Sequence, residues 1–393
     1  MNFDNIAKLK LIYFFKSLFF FSPIITLFYF SRGLDTFQVV SLEAILIISV
    51  LFFEIPTGIL ADKIGRKFCL TLLILLYIIG NIWTIFAFSY IEFFIIEILF
   101  GIGIAFGSGA IEALVYDSLK NQGKEKQMSK VWGSINFYML IASIIAVTIG
   151  GYIARSHNPK TFVMLLWLYT FGAIIALFIS FFITESKHEK EIEKQTALIL
   201  FKESTLHILK NKSLRKIIYL SLFTLPFIHI IMFLFQPYFL IAKVPNELFG
   251  IAMAAGMILG ALLVKYAYRI EEIFGMKKTI FLATILPGLF YLTMAFVIGP
   301  LMSFIWYVLL KGVSSLRDPL FSQYQNDHIQ SHNRATVLSV ISMITALYLA
   351  VMRLVIGKIA NSNLLLSFVV MGGIIIFGSV LFRIDEKCIK VSL

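Results

Sequence analysis

The chain has 393 residues, of which 59% are hydrophobic and 14% are charged, and its mean hydropathy is +0.90. This composition excludes an ordinary soluble domain and indicates an integral membrane protein in a lipid bilayer. The formal net charge of +12 could suggest a nucleic-acid-binding protein. The basic residues, however, lie in short loops between apolar runs, which is the pattern of membrane topology. We therefore expect no nucleic-acid partner.

Twelve apolar runs are long enough to cross a bilayer, which takes about 20 residues. They cover residues 8–30, 38–61, 67–88, 92–117, 130–154, 160–183, 216–242, 247–268, 277–298, 300–319, 336–358 and 362–383. An even number of spans puts both termini on one side, and the loops rich in Lys and Arg mark that side as cytoplasmic. We predict a multi-pass protein of the cell membrane with cytoplasmic N- and C-termini.

The loop between the second and third runs, residues 54–67, has the sequence EIPTGILADKIGRK. Gly58 would leave room for a neighbouring backbone, and Gly65 can adopt the left-handed conformation of a tight reversal. Asp62 would face the negative pole of a helix dipole, so it needs a partner such as Arg66 or the N-terminus of another helix. We predict that Asp62 is a conformational latch.

This loop resembles the signature of the major facilitator superfamily, and five of its residues match that pattern. They are Gly58, Asp62, Gly65, Arg66 and Lys67. The resemblance implies an all-α fold of 12 transmembrane helices in two pseudo-symmetric six-helix bundles. It also implies that the loop is a cytoplasmic hinge that stabilises one of two alternating conformations, and that Asp117, at the end of the fourth run, pairs with Arg66.

Residues 184–215 form a charged segment between the two halves, so we predict bundles at 1–183 and 216–393. Part of this segment, around 197–209, has helical spacing and could lie along the membrane surface, or the whole segment could be a solvated linker. In the second half, Glu272, Gly275 and Lys277 repeat the spacing of Asp62, Gly65 and Lys67. This repeat favours an internal duplication.

Ionisable residues inside the spans cost about 2.5–3.5 kcal/mol each, so each requires a reason. The first half contains Lys16, Glu43, Glu54, Glu97 and Glu112. The second half contains Lys311 and Arg353, with His229 as a further titratable residue. The interior of one half is therefore acidic and that of the other is basic.

Glu54, Glu97 and Glu112 have two interpretations. They could form a proton or cation site in a central cavity, with burial of Glu54 and Glu112 favouring proton uptake. Alternatively, they could form ion pairs that hold the first bundle together, since Lys16 lies at a similar depth. Small residues surround them, and the glycines of the fourth run predict close helix packing. These glycines are Gly101, Gly103, Gly107 and Gly109.

His229 and Gln236 are seven residues apart and share a helix face, so they could contact substrate, or His229 could be a core histidine. The 40 Phe residues suit an amphipathic ligand, although lipid contact explains many of them. His328 and His332 have a metal-ligand spacing but lie in a polar loop. We expect no metal and no cofactor.

Glu43 and Arg353 each lie about 7 Å inside the outer end of their spans. The resemblance implies that these two helices face each other across the two halves. We predict that the pair is an outer gate. The alternative is that Arg353 extends to the headgroups and Glu43 is solvated.

We predict a monomeric secondary transporter that exports a small amphipathic molecule in exchange for protons. The export direction comes from the resemblance to drug-efflux members. The sequence departs from those members in two places, since Glu97 occupies the position of their arginine and no proline follows Gly150 and Gly151. Uptake of a metabolite or a siderophore-like compound is the second hypothesis, and a non-transporting receptor or scaffold is the third.

Overall fold

The computed structural model describes residues 4–156, 158–185, 208, 211–329 and 334–384, apart from the side chains of residues 62, 327, 334 and 335. Within these ranges the regular secondary structure is entirely helical. Contacts between Cα atoms divide the chain into two compact units. The first contains residues 1–190 and Pro245–Ala254, and the second contains residues 191–244 and 255–393. The division near residue 190 lies inside the linker predicted at 184–215.

The first unit is built from helices joined by short turns. They are α1 (Asn5–Lys16), α2 (Ile25–Ser31), α3 (Thr36–Ile64), α4 (Arg66–Phe86), α5 (Tyr90–Gly107), α6 (Ala110–Lys120), α7 (Met128–Ile153) and α8 (Pro159–Ser180). Their buried apolar side chains form a core centred on α1, α4, α6, α7 and α8. The first residues of the eighth predicted run also belong to this unit by contact.

The second unit has the same kind of construction. Its helices are α9 (Lys212–Thr224), α10 (Pro226–Ile241), α11 (Leu248–Lys265), α12 (Ala267–Phe296), α13 (Pro300–Ser314), α14 (Arg317–Asp327), α15 (Arg334–Ser362) and α16 (Leu364–Leu381), of which α11 begins in the first unit. Most of residues 197–209, the predicted surface helix, lies outside the described residues.

Among the described residues, ten helical segments are long and apolar enough to cross a membrane. The two remaining predicted spans, 8–30 and 300–319, are each divided between two shorter helices, α1 with α2 and α13 with α14. The expected all-α membrane fold is thus confirmed, and the count of twelve spans is consistent with it. In the run 8–30, residues 17–21 separate α1 from the helical turns that follow.

Glycines with positive φ shape two turns at corresponding places of the sequence repeat. Gly65 separates α3 from α4 with φ 96° and ψ 153°. Gly275 interrupts α12 with φ 74° and ψ 152°. Both values lie in a region that L side chains rarely adopt. The two turns that the sequence repeat predicted therefore share a backbone conformation, and the duplication itself stays a prediction.

The glycines of the fourth run explain how closely α5 packs. A Cβ on Gly101 would lie 2.5 Å from the Cβ of Ser49 on α3, and one on Gly107 would lie 2.9 Å from Leu73 on α4. The packing prediction is wrong for Gly109 and for Gly58, since no described atom lies within 4 Å of a Cβ built on either. Gly109 instead has φ 71°, which allows the break between α5 and α6.

Candidate functional site

The interior of the first unit contains a buried carboxylate beside a tyrosine. Glu97, on α5, is 6% exposed, so it is the most deeply buried of the predicted acidic residues. The hydroxyl of Tyr29, on α2, lies 3.5 Å from Glu97 Oε1 and donates to it. The Tyr29 ring packs edge-on against Phe93 at 5.0 Å between centroids. Helices α2 and α5 thus hold one acid and its donor in an aromatic environment.

Glu43 and Tyr77 extend this group of residues to α3 and α4. The negative charges of Glu97 and Glu43 act electrostatically on both Tyr29 and Tyr77, which places two acids and two phenols in one region. Glu43 is half-buried. We call Tyr29, Glu43, Tyr77 and Glu97 the acid–tyrosine cluster.

Lys16 lies at the C-terminal end of α1, against tyrosine rings. Its Nζ atom is 5.1 Å from the ring centroid of Tyr77 and 5.9 Å from that of Tyr13. Among the described residues, no acidic side chain forms an ion pair with Lys16. The structure therefore supports a cation–π position for this lysine and does not support the predicted alternative of ion pairs with Glu54 or Glu112.

Glu54 and Glu112 were expected to be buried, and this expectation is wrong. Both side chains are exposed, and Glu54 Oε1 accepts a hydrogen bond of 3.2 Å from Ser108 Oγ. The break between α5 and α6 accounts for the contact, because it places Ser108 at the end of α5. A carboxylate that is exposed to hydrocarbon within a span is unfavourable. The exposure of these two acids therefore indicates that they face water and not lipid.

The second unit contains a group of basic side chains together with one acid, Asp318, whose charge acts on Lys311 and Arg317. His229 on α10 is exposed, and the positive charges that act on it are those of Arg353, Lys311 and Arg317, in that order. Arg353 is buried at 4% exposure, and Gln236 is fully buried. His229 and Gln236 therefore differ in environment although they share a helix face. Helix α10 packs against both α13 and α15, which carry Lys311 and Arg353.

Lys311 reaches this region because α11 and α13 pack closely. A Cβ on Gly256 would lie 2.8 Å from Lys311 Cβ, and one on Gly260 would lie 2.5 Å from Ser315 Oγ. The small residues of α11 therefore leave the space that Lys311 occupies. Glu43 and Arg353 belong to different units, and their pairing as an outer gate stays a prediction.

Arg317 is a buried arginine that the sequence did not single out. It is 1% exposed, and it lies where α14 follows α13. Its Nη1 donates to the carbonyl oxygen of Thr224, at the break between α9 and α10, and its Nε donates to Ser314 O at 3.3 Å. A signal was present, because the triplet Arg317, Asp318 and Pro319 ends an otherwise apolar run.

The signature loop brings two predicted residues together. Arg66 Nη1 forms an ion pair with the Asp117 carboxylate and also donates to Ala113 O at 2.9 Å. Asp62 lies in the last turn of α3, but its side chain is outside the described part of the chain, so its latch role stays a prediction. The loop is thus attached to α6 through Arg66.

Glu185, just beyond α8, caps the N-terminus of α4. Its Oε1 accepts the Arg66 N–H at 2.9 Å, and its Oε2 accepts the Lys67 N–H at 2.8 Å. These amides are unpaired donors at a helix start, where a negative charge is favourable. The Lys67 ammonium donates in return to Phe181 O at 2.7 Å. The start of α4 and the segment that follows α8 are therefore joined by hydrogen bonds in both directions.

The N-terminal segment strengthens this attachment of α8. Lys8 Nζ donates to Phe182 O at 2.7 Å, and Asn5 exchanges hydrogen bonds of 2.9 and 3.0 Å with the backbone of Thr184. Cations at the last carbonyl groups of a helix are favourable. The start of the predicted linker is thereby fixed to the same end of the first unit as the signature loop.

The predicted histidine pair is only partly described. The His328 ring stacks on Tyr324 at 4.3 Å, and its Nδ1 lies 2.8 Å from Tyr324 O. His332 and the side chain of Asp327 lie outside the described residues. Within the described ranges, no group of three metal-ligating side chains is found.

The apolar spans and the charged side chains inside them define a multi-pass α-helical membrane protein. Its family can be stated directly. The sequence profile described as Major Facilitator Superfamily matches residues 11–351, so this chain belongs to that superfamily.

Two curated relatives are similar in sequence. The "Uncharacterized transporter BU466" of Buchnera aphidicola is 32% identical over 191 residues, which are 48% of this chain and 46% of that protein. The "Uncharacterized MFS-type transporter YxaM" of Bacillus subtilis is 23% identical over 383 residues, which are 93% of this chain and 92% of that protein.

Solved structures share the fold over nearly the whole chain. The nucleoside transporter NupG superposes with a TM-score of 0.80 at 16% identity, covering 99% of this chain and 100% of that one. The D-xylose–proton symporter superposes with a TM-score of 0.73 at 14% identity, covering 97% of each chain. At these identities the likeness concerns the fold.

Proposed function

We propose that this protein is a secondary active transporter that moves a small amphipathic molecule through the membrane by alternating access, coupled to protons. Membership of the superfamily supports transport. The single observation that carries proton coupling is the buried carboxylate of Glu97 beside the Tyr29 hydroxyl, inside a membrane span. An ionisable side chain inside a membrane span has an energetic cost, so its presence indicates a function.

Glu97 is the proposed proton carrier. A carboxyl group that is dehydrated in one conformation and hydrated in another exchanges a proton when the conformation changes. Tyr29 would orient the carboxyl group, and Glu43 would add a second negative charge in the same cluster. Glu54 and Glu112, which are exposed, are the proposed residues of the aqueous route to the cluster.

The substrate would contact acidic side chains of the first unit and basic side chains of the second. In the second unit, Lys311 and His229 are the proposed contacts, with Gln236 as a polar residue farther along α10. Arg66, Asp117 and Asp62 would control the conformational equilibrium. We further propose a monomer in the cell membrane with cytoplasmic termini, which the basic residues at one end of the first unit support.

Two transport directions are proposed. Export rests on the resemblance of the chain to drug-efflux members of the superfamily. Uptake is supported by a solved structure that shares the fold and is a D-xylose–proton symporter, and a nucleoside transporter that shares the fold adds a second class of compound to test. Amphipathic cations, nucleosides and pentoses are therefore the compounds to test first.

Transport in proteoliposomes tests this proposal. The purified protein is reconstituted, a pH gradient of either sign is imposed, and accumulation of radiolabelled compounds from these three classes is measured. We expect gradient-dependent accumulation of one class by the wild-type protein. Glu97→Gln should lose accumulation but retain exchange of labelled for unlabelled substrate without a gradient. Glu125→Gln, which removes an acid outside the cluster, is the control. Normal accumulation by Glu97→Gln would exclude Glu97 as the carrier.

A further inference from the structure

A small cavity lies at the end of the first unit where α2 finishes and α8 begins. Its volume is about 280 Å³, and it is lined by Ser31, Arg32, Pro159, Lys160 and Val163. The apolar segments Ser22–Ser31 and Pro159–Ser180 end and begin at this cavity. The cavity is therefore located where membrane spans meet the headgroup region.

Arg32 is held in a fixed position beside the cavity. Its Nη2 donates to Ile85 O at 2.9 Å, and its guanidinium carbon lies 3.9 Å from the ring centroid of Phe88 and 5.1 Å from that of Phe28. Arginine carries five N–H donors, and the bond to Ile85 uses one of them. The other N–H donors of Arg32 are therefore held in place on a cation whose position is already fixed.

Lys160 provides a second positive charge at the N-terminus of α8. Its backbone N–H donates to the Asn158 side chain at 2.9 Å, so the helix start is capped, and its own side chain is exposed. The N-terminus of a helix adds a partial positive charge. Two cationic side chains, those of Arg32 and Lys160, therefore line one cavity.

Within the described residues, neither Arg32 nor Lys160 forms an ion pair with a carboxylate. Two acidic residues at this end serve as helix caps. Asp35 accepts the Gln38 N–H at 2.8 Å, and Glu92 accepts the Phe88 and Ser89 N–H groups at 3.0 and 2.9 Å. No acidic side chain lines the cavity. The two cations thus present positive charge toward whatever occupies the site.

The surroundings of the cavity are apolar and aromatic. Val163 contributes to its wall, and the exposed side chains of Phe86 and Phe88 lie at a neighbouring span end, where the Phe88 ring contacts Arg32. The rings of Phe86 and Trp167 are 6.5 Å apart. Exposed aromatic residues at this level are typical of the membrane interface. A water-soluble anion gains nothing from such surroundings, whereas a lipid does.

We propose that this cavity binds the phosphate group of an anionic phospholipid. The guanidinium of Arg32 and the ammonium of Lys160 contact the phosphate, and the acyl chains lie along the apolar side of α8. An anionic headgroup is favoured over a zwitterionic one, because a choline cation would face two protein cations. This proposal is independent of the transported substrate and of the coupling ion.

Native mass spectrometry of the detergent-purified, delipidated protein tests the site. Phosphatidylglycerol is titrated into the wild type and into Arg32→Gln, Lys160→Gln and the double variant. One cation near a lipid surface contributes about 1 kcal/mol, so each single variant should bind about fivefold more weakly and the double variant roughly 25-fold. Arg155→Gln is the matched control, since Arg155 stacks on Tyr152 near the same end and does not line the cavity.

Parallel titrations identify the ligand. Phosphatidylcholine should bind more weakly than phosphatidylglycerol, and inorganic phosphate should not displace the lipid at equal concentration. Melting temperatures without lipid show whether each variant is folded. If Arg32→Gln unfolds, Lys160→Gln alone decides, because its side chain is exposed. Wild-type affinity of Lys160→Gln for phosphatidylglycerol, equal binding of both lipids, or displacement by phosphate would each overturn the proposal.

Discussion

Glu185 allows a sharp test of how α8 and the signature loop are connected. Its two carboxylate oxygens accept the backbone N–H groups of Arg66 and Lys67, which are more than a hundred residues away in sequence. We expect Glu185→Ala to leave these two amides without an acceptor. The N-terminus of α4 should then open more often, while the rest of the first unit stays folded.

The magnitude follows from the geometry. A side-chain cap at a helix N-terminus contributes about 1 kcal/mol. Because 1.4 kcal/mol corresponds to a tenfold change in an equilibrium constant, the opening equilibrium should shift about fivefold. Glu185→Gln keeps one carbonyl acceptor but loses the charge, so its effect should be intermediate.

Hydrogen–deuterium exchange measures this opening directly. The amides of Arg66 and Lys67 should exchange about fivefold faster in Glu185→Ala, by the same estimate of cap strength. Glu125→Ala removes a negative charge from the same end of the unit without touching α4, and it should leave these amides unchanged. Unaltered exchange at Arg66 and Lys67 in Glu185→Ala would show that the cap does not hold the loop.

Three further predictions concern conformational balance and packing. Asp117→Asn removes the charge partner of Arg66, in a pair whose side chains are 23% (Arg66) and 16% (Asp117) exposed. Transport turnover should change by about tenfold, with little change in substrate affinity. An altered affinity at normal turnover would contradict the latch. Gly150→Ala should lower the melting temperature, with a loss of about 1–3 kcal/mol, because its Cβ would lie 1.8 Å from Phe20 O, whereas Gly133→Ala on the same helix meets no atom within 4 Å and should not. For the gate predicted from sequence, exchanging the charges of Glu43 and Arg353 should restore activity lost in each single variant, and two fully active single variants would refute it.

The features that the sequence predicted best are those encoded locally. The positive φ of Gly65 follows from a glycine between two apolar runs, and the superfamily pattern pointed to the contact between Arg66 and Asp117. Hydropathy located the spans because a bilayer imposes a length on every helix. It did not locate the interruptions at residues 17–21 and 108–109, which leave the apolar run intact.

The features that the sequence missed depend on contacts between distant segments. Glu185 was indistinguishable from other charged residues of the linker, because its role requires the end of α8 to lie beside α4. The prediction that Glu54 and Glu112 are buried was wrong for a similar reason. Periodicity shows which residues share a helix face, but it does not show what covers that face. Tyr29 and Tyr77 gave no signal at all, because tyrosines are common in a chain so rich in aromatic residues.

The position of Arg317 has a mechanical consequence. Helices α9 and α10 are separated at Leu225, and α13 and α14 are separated at Ser315 and Leu316; these are the points where each pair can bend. Arg317 starts α14 and donates to Thr224, the last residue of α9, and α9 also packs against α14. A rotation of α9 about its break would therefore break the bond from Arg317 to Thr224 unless α14 moved with it. We therefore expect a displacement of either short helix to be felt at two breaks of the second unit at once.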